Sequence, residues 1–282
     1  MFIQKCIAMG IILLNIMPCQ TTKIMLSAKI ENKTTKYLEK EYFLIKSYKK
    51  FLSLTSVAVY ALDTNGYMTT VNTSSDWKAI DYQFDVGKIG YLKMPLIYCD
   101  STWGLCSPLS IALNAAIKRG DQFIADSIYH AKYYGWNGYT VDFELTDQVD
   151  INYITKFMIK WSNALHMHNL QLIVWVGGPV PYNMKILFNN INMYFITMYT
   201  YNTCTYEGFI ASATMFLNYY TGLTGSYNYS NIGFGIIAND VFTSNDILVI
   251  CKWCESNGIG ILSFFSDTIN KNWHEYLEIC KE

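Results

Sequence analysis

The chain has 282 residues, 51% of them hydrophobic and 15% charged, which excludes a disordered chain and supplies enough apolar material for a full core. Lys and Arg total 21 against 22 Asp and Glu, a formal charge of -1, so the basic footprint that grips phosphate backbones is missing and nucleic acid is not an expected partner. Aromatics reach 16%, with 23 Tyr and 7 Trp; these residues fill cores and also stack on sugar faces, and composition does not separate the two uses.

The chain opens with MFIQKCIAMGIILLNIMPCQTT. Lys5 supplies a positive start, Cys6 to Met17 is a short apolar run, and Pro18 ends it. This is the layout of a secretory signal peptide, assigned to residues 1–20 although no clean small-residue cleavage site is present. The run is too short to span a bilayer comfortably, and charges interrupt every later apolar segment, so no stable membrane span is expected once it is removed. Residues 21–282 then form one domain, secreted or held in the lumen of the secretory or lysosomal pathway. Removing Cys6 and Cys19 leaves Cys99, Cys106, Cys204, Cys251, Cys254 and Cys280, an even set compatible with disulfides. Cys99 and Cys106 flank a Trp-Gly loop and are the favoured pair. Cys251-x-x-Cys254 lacks a second half-site for zinc and suits a buried or disulfide-bonded role. Sequons at Asn32, Asn72 and Asn228 agree with a glycoprotein on the same route.

From residue 54 the chain alternates apolar runs with amphipathic segments. Leu54 to Leu62 (LTSVAVYAL) reads as a strand running into the turn Asp63-Thr64-Asn65-Gly66. A second strand is expected over Ile89 to Tyr98. A helix follows with Phe123, Ile124, Ile128 and Ala131 on one face and Gly135 as its stop. Gly138 to Leu145 (GYTVDFEL) is the next strand. Asp150 caps a helix whose apolar face is Ile154, Phe157, Met158, Trp161 and Leu165. Then come a strand at Leu170 to Val176, a strand at Tyr194 to Thr200, a helix around Glu207 to Leu217, and a strand at Ile232 to Ile237. A helix capped by Thr243 or Ser244 stops at Gly258, and the last strand, Ile259 to Phe265, leads into a short terminal helix. The strands are near-continuous apolar runs, as parallel strands buried on both faces require. Strand–helix alternation at this length predicts a (β/α)8 barrel, with the eighth strand placed N-terminally, within Ile24 to Lys46. A doubly wound sheet is the alternative, but the glycine-rich phosphate loop that usually accompanies it is not found.

The chemistry concentrates at Asn137 to Glu144, NGYTVDFE. Along a strand Thr140, Asp142 and Glu144 share one face and Val141 and Phe143 the other. In a barrel the carboxyl ends of the strands floor the active site. A like-charged neighbour and partial burial raise a carboxyl pKa, so Glu144 could stay protonated as a general acid beside an ionised Asp142. Taken alone, the same two acids could equally solvate a strand end or cap the following turn.

The segment resembles the D-G-x-D-x-D-x-E signature of glycoside hydrolase family 18, the chitinases and endo-β-N-acetylglucosaminidases. Asn137 and Gly138 hold the D-G place, Thr140 the middle Asp place, Asp142 the last Asp place and Glu144 the catalytic acid place. Tyr199-Thr200-Tyr201-Asn202 is similar to the family's M-x-Y-D segment. The last strand, Gly260-Ile261-Leu262-Ser263-Phe264, lies where the family usually ends in a Trp that floors the sugar subsite, with Phe264 standing in for it. The resemblance implies a retaining glycosidase in which the substrate's own 2-acetamido oxygen attacks the anomeric carbon. Glu144 would protonate the leaving oxygen and then activate water. Asp142 would orient the acetamide and stabilise the oxazolinium charge, and Tyr201 would hold the acetamide carbonyl. Thr140, Tyr199 and Asn202 would line the substrate site. Trp175, ending a strand on the same rim, reads equally as a sugar platform or as core, and Tyr182 and Trp136 are weaker cases of the same kind.

The partner implied is an oligo- or polysaccharide containing β-linked N-acetylglucosamine. Thr140 and Phe264, where the family has Asp and Trp, favour a chitinase-like lectin that binds without cleaving, whereas Glu144 and Tyr201 favour an enzyme. A third reading is an unrelated barrel with structural acids. His166 and His168 point to different sides of their helix, His130 and His274 are isolated, and neither a metal nor a cofactor is expected.

Overall fold

The computed structural model describes residues 22–28, 34–70, 84–89, 91–99, 109–143, 150–177, 181–198, 205–237, 242–266 and 273–280. Eight strands carry the architecture: β1 (Lys23–Ala28), β2 (Leu54–Leu62), β3 (Leu96–Cys99), β4 (Gly138–Phe143), β5 (Gln171–Trp175), β6 (Met193–Met198), β7 (Ile232–Ile237) and β8 (Ile261–Ser266). Each pairs in parallel with the next, and β1 pairs in parallel with both β8 and β2, which closes the cylinder. Helices lie between them: α1 (Thr35–Ser47), α2 (Leu109–Arg119), α3 (Asp121–Tyr134), α4 (Ile151–Met167), α5 (Met184–Phe188), α6 (Tyr206–Thr224), α7 (Ser244–Ser256) and α8 (Trp273–Ile279). The chain has the expected (β/α)8 barrel fold, and its first strand falls at the amino edge of the window read from the sequence. Among the described residues no helix is long and apolar enough to cross a membrane.

The local chemistry explains the boundaries. Asp150 caps α4 by accepting from the backbone N–H groups of Asn152 and Tyr153, both at 3.0 Å. Thr243 and Asp246 form a reciprocal capping box on α7. Gly135 ends α3 in the left-handed conformation. Helix α6 runs past Leu217 to Thr224 because nothing breaks it before the left-handed Gly225. The strand expected over Ile89 to Tyr98 is split in two. Leu92–Lys93 pairs with the start of β2, and β3 begins only at Leu96. Pro95 between them has no N–H to give the ladder, and β2 shifts register between Ala58 and Tyr60.

Two apolar layers result. Met25, Leu54, Leu96, Ile173, Ile196 and Ile261 fill the inside of the barrel. The opposite faces of the same strands meet the helices in a larger layer that contains Leu26, Val57, Tyr139, Phe195 and Phe234. Trp161, fully buried on α4, donates from Nε1 to Ser127 Oγ at 2.9 Å, and Tyr139 of β4 donates from its hydroxyl to Ser127 O at 2.6 Å. Strand β4 is thereby tied to α3, and α3 to α4. A disulfide joins Cys251 of α7 to Cys280 just after α8, with Cα atoms 5.5 Å apart. Cys254, one turn from Cys251, is a buried free thiol whose pKa burial pushes well above the usual thiol range. The Cys99–Cys106 pair lies outside the described residues, because Cys106 does.

Candidate functional site

The site is built on β4. Its entry is stitched to both neighbouring strands by one residue. The Asn137 backbone N–H donates to Lys93 O at 2.8 Å and its carbonyl accepts from Gln171 N at 2.9 Å. Its side-chain Oδ1 accepts from Lys93 N at 2.9 Å. Asn137, which holds the first Asp place of the resembled motif, is therefore a barrel clamp. Gly138 follows with φ 144°, and a Cβ there would sit 1.9 Å from Gln171 O. Only glycine lets β4 lie this close to β5.

Beyond Gly138 the side chains alternate as read from the sequence. Tyr139, Val141 and Phe143 are buried toward the helices, while Thr140 and Asp142 take the barrel side. Thr140 is fully buried, and its hydroxyl donates to Met94 O at 3.3 Å. This corrects its expected place in the substrate site: it seals the floor below the site, because its one donor is satisfied by backbone and no solvent reaches it. Asp142 is half-buried at the carboxyl end of the strand, level with Tyr98 of β3 in the ladder. Glu144, Tyr199, Tyr201 and Asn202 lie outside the described residues, as do the residues that follow the carboxyl ends of most barrel strands.

Trp175 faces into the barrel at the end of β5, only 7% exposed, with its ring edge against Phe265 of β8 at 6.4 Å between centroids. It forms part of the barrel's apolar plug near the mouth. Phe264 requires a second correction. It is fully buried in the outer layer, packed on Tyr276 of α8 at 5.7 Å, so it cannot offer a face to a sugar. Side chains alternate, and Ser263 fixes the phase: its Oγ lies 2.9 Å from Ser27 Oγ of β1 in a buried pair. Phe265 thus takes the inward place. With two adjacent Phe residues the sequence alone does not reveal which one turns inward.

One residue gains weight from the structure. Tyr182 lies in the segment after β5 and is 4% exposed, and its hydroxyl is buried without a hydrogen-bond partner. Burial, and then the charge of Asp142, hold its pKa well above the usual tyrosine range. No sequence signal separates it from a core tyrosine. Among the described residues no group of three or more His, Cys, Asp or Glu is placed to hold a metal ion.

No protein-family model matches the chain, and no curated protein matches it. Solved structures do match. A chitinase from Chromobacterium violaceum aligns with a TM-score of 0.67 at 15% identity, over 91% of this chain and 98% of that one. A class V chitinase from Pseudomonas fluorescens gives 0.69 at 12% identity, over 93% and 100%. A family GH18 chitinase from Cycas revoluta, solved with allosamidin, gives 0.64 at 11% identity, over 92% and 98%. At these identities the likeness is one of fold: the chain shares the barrel of these solved chitinases along nearly its whole length.

Proposed function

We propose that this chain is a divergent member of glycoside hydrolase family 18, a secreted or lumenal enzyme that cleaves β-linked N-acetylglucosamine-containing glycans by substrate-assisted, retaining catalysis. The observation that carries the reading is Asp142. It is a half-buried carboxylate on the barrel side of β4 at the strand's carboxyl end, in a fold shared with chitinases. A barrel concentrates its chemistry at that end. Two residues further along the same strand direction the sequence places Glu144.

In this reading Glu144 gives its proton to the leaving glycosidic oxygen while the acetamido oxygen of the same sugar closes on the anomeric carbon. Asp142 accepts the acetamide N–H and offsets the positive charge of the oxazolinium ion. Tyr201 donates to the acetamide oxygen and keeps it in line. Glu144, now a carboxylate, takes a proton from the water that opens the ring, so the configuration is retained and the acid is regenerated. An apolar floor of Trp175 and Phe265 keeps bulk water from below, which strengthens each of these interactions.

The sealed Thr140 supports a second reading, a chitinase-like lectin, because a hydroxyl bonded to Met94 O stands where the resembled motif has a carboxylate. One comparison decides between them: cleavage and binding of N-acetylglucosamine oligomers by the wild type and by Glu144→Gln. The enzyme reading expects cleavage by the wild type, and loss of cleavage with retained binding in the variant. Binding by both without cleavage by either establishes the lectin. Neither binding nor cleavage refutes both.

A further inference from the structure

The loop from Gly225 to Asn231 joins α6 to β7 at the amino end of the barrel, opposite the carboxyl end where Asp142 lies. It contains the sequon Asn228-Tyr229-Ser230, and N-linked sugar is added to a surface Asn with a hydroxyl two residues on. The loop turns this acceptor outward: Asn228 is exposed, and Tyr227 beside it is 79% exposed. Asn228 Oδ1 accepts from Ser230 N at 3.1 Å, and Asn228 N donates to Ser226 Oγ at 3.1 Å. The turn thus holds the amide by its oxygen and leaves Asn228 Nδ2 and the Ser230 hydroxyl without a protein partner among the described residues. The same two residues border a cavity of about 300 Å³, at the small end of the range for ligand sites. Phe188 and Tyr220, with ring centroids 5.1 Å apart, supply its apolar wall. Asn189 and Asn231 supply amides, and the Tyr220 hydroxyl donates to Asn231 Oδ1 at 3.4 Å, which leaves Asn231 Nδ2 to donate. No charged side chain among the described residues lines the cavity. Amides and hydroxyls around an aromatic wall suit a neutral sugar ring rather than an ion.

We propose that Asn228 is an N-glycosylation site and that the first N-acetylglucosamine of its glycan rests in this cavity, with its acetamido methyl against Phe188 and Tyr220 and its polar groups on Asn189 and Asn231. In the attachment step, carried out by a lumenal transferase, Asn228 Nδ2 bonds to the anomeric carbon of an oligosaccharide carried on a lipid pyrophosphate. The anomeric carbon–oxygen bond breaks, the pyrophosphate leaves with the electron pair, and Nδ2 releases one proton. The glycan then covers the amino end of the barrel and leaves the opposite mouth open. The proposal rests on the secretory route of the reading above and not on its hydrolytic chemistry.

The test is production of the full chain in a eukaryotic secretory host in two forms, one with its own amino terminus and one behind a supplied signal sequence. The mass of the peptide holding Asn228 is read before and after enzymatic release of glycans. The wild type and Ser230→Thr should carry a glycan there, and Asn228→Gln and Ser230→Ala should lose it completely. The wild-type glycan is then trimmed to its first sugar. The acetamido methyl protons of that sugar should show nuclear Overhauser contacts to the Phe188 and Tyr220 rings. Tm should stand about 2 °C above that of Ser230→Ala, which keeps the Asn228 turn but not the sugar. An unmodified Asn228 in the chain sent through the supplied signal overturns the site. A modified Asn228 whose sugar gives neither the contacts nor the Tm shift overturns its seat in the cavity. Failure of the chain to leave the cell with its own amino terminus defeats the secretory reading instead, and the supplied-signal form still decides Asn228.

Discussion

Gly138→Ala is the most informative single change in the barrel. Gly138 has φ 144°, and the added carbon would stand 1.9 Å from Gln171 O and 2.5 Å from Gln171 N. Two costs follow. An L residue in this glycine-only backbone region is strained by about 1–3 kcal/mol. Forcing β4 off β5 to admit a methyl group costs about 1–3 kcal/mol more, as overpacking does elsewhere, and here the obstacle is backbone and cannot rotate away. The sum is about 4 kcal/mol, which for a domain of this size lowers Tm by about 10 °C. The measurement is urea unfolding followed by circular dichroism, with Gly222→Ala as the internal control. Gly222 lies within α6 and a Cβ there meets nothing within 4 Å, so alanine should stabilise by about 0.5–1 kcal/mol. The movement of β4 should also displace Asp142 and, on the function proposed above, weaken glycan binding. If Gly138→Ala unfolds within about 1 kcal/mol of the wild type, the close strand approach does not constrain the barrel and the reasoning fails.

Two further outcomes follow from buried groups away from the site. Glu41 on α1 is 3% exposed with Oε2 unpaired, and burial outweighs the pull of Lys40 and raises its pKa to about 7. The folded state therefore favours the protonated acid. That contribution is complete below the unfolded value of 4.5 and is lost as pH rises to about 7. Glu41→Gln should be more stable than the wild type at pH 8, with the difference in Tm shrinking toward pH 4.5; a constant difference would contradict the burial argument. Cys280→Ser opens the loop closed across 29 residues by the Cys251–Cys280 bond and should cost roughly 3–4 kcal/mol in guanidinium unfolding under oxidising conditions. An unchanged midpoint would show that α8 holds without it.

Several features are legible in the sequence because one local signal carries each of them. Asp150, Thr243 and Gly135 announce helix ends through their own hydrogen bonds or backbone freedom, and the buried strands announce themselves as apolar runs. Strand β1 was harder. Lys23 and Ser27 interrupt its apolar pattern, and only the closed barrel shows why they are tolerated there: the Lys23 ammonium meets the Tyr194 hydroxyl at 3.2 Å and Ser27 meets Ser263. The facing of Asp142 followed from alternation alone. Phe264 did not, because its phase is set by a hydroxyl pair with β1, distant in sequence. The Cys251–Cys280 bond depends on how α7 meets α8, and the unpaired Tyr182 hydroxyl depends on what fails to reach it. Neither leaves a trace in spacing.

The barrel's seam joins its first strand to its last. Lys23 N donates to Gly260 O at 3.0 Å, and β1 lies in register with β8 from Lys23 to Ala28. During synthesis, then, β1 emerges long before its partner exists, and some 230 residues must be made before the seam can zip. Until then both sheet margins are bare, and bare margins recruit other chains. The nascent polypeptide keeps an open sheet through most of its synthesis, and a chain cut short before β8 has no strand with which to shut its barrel.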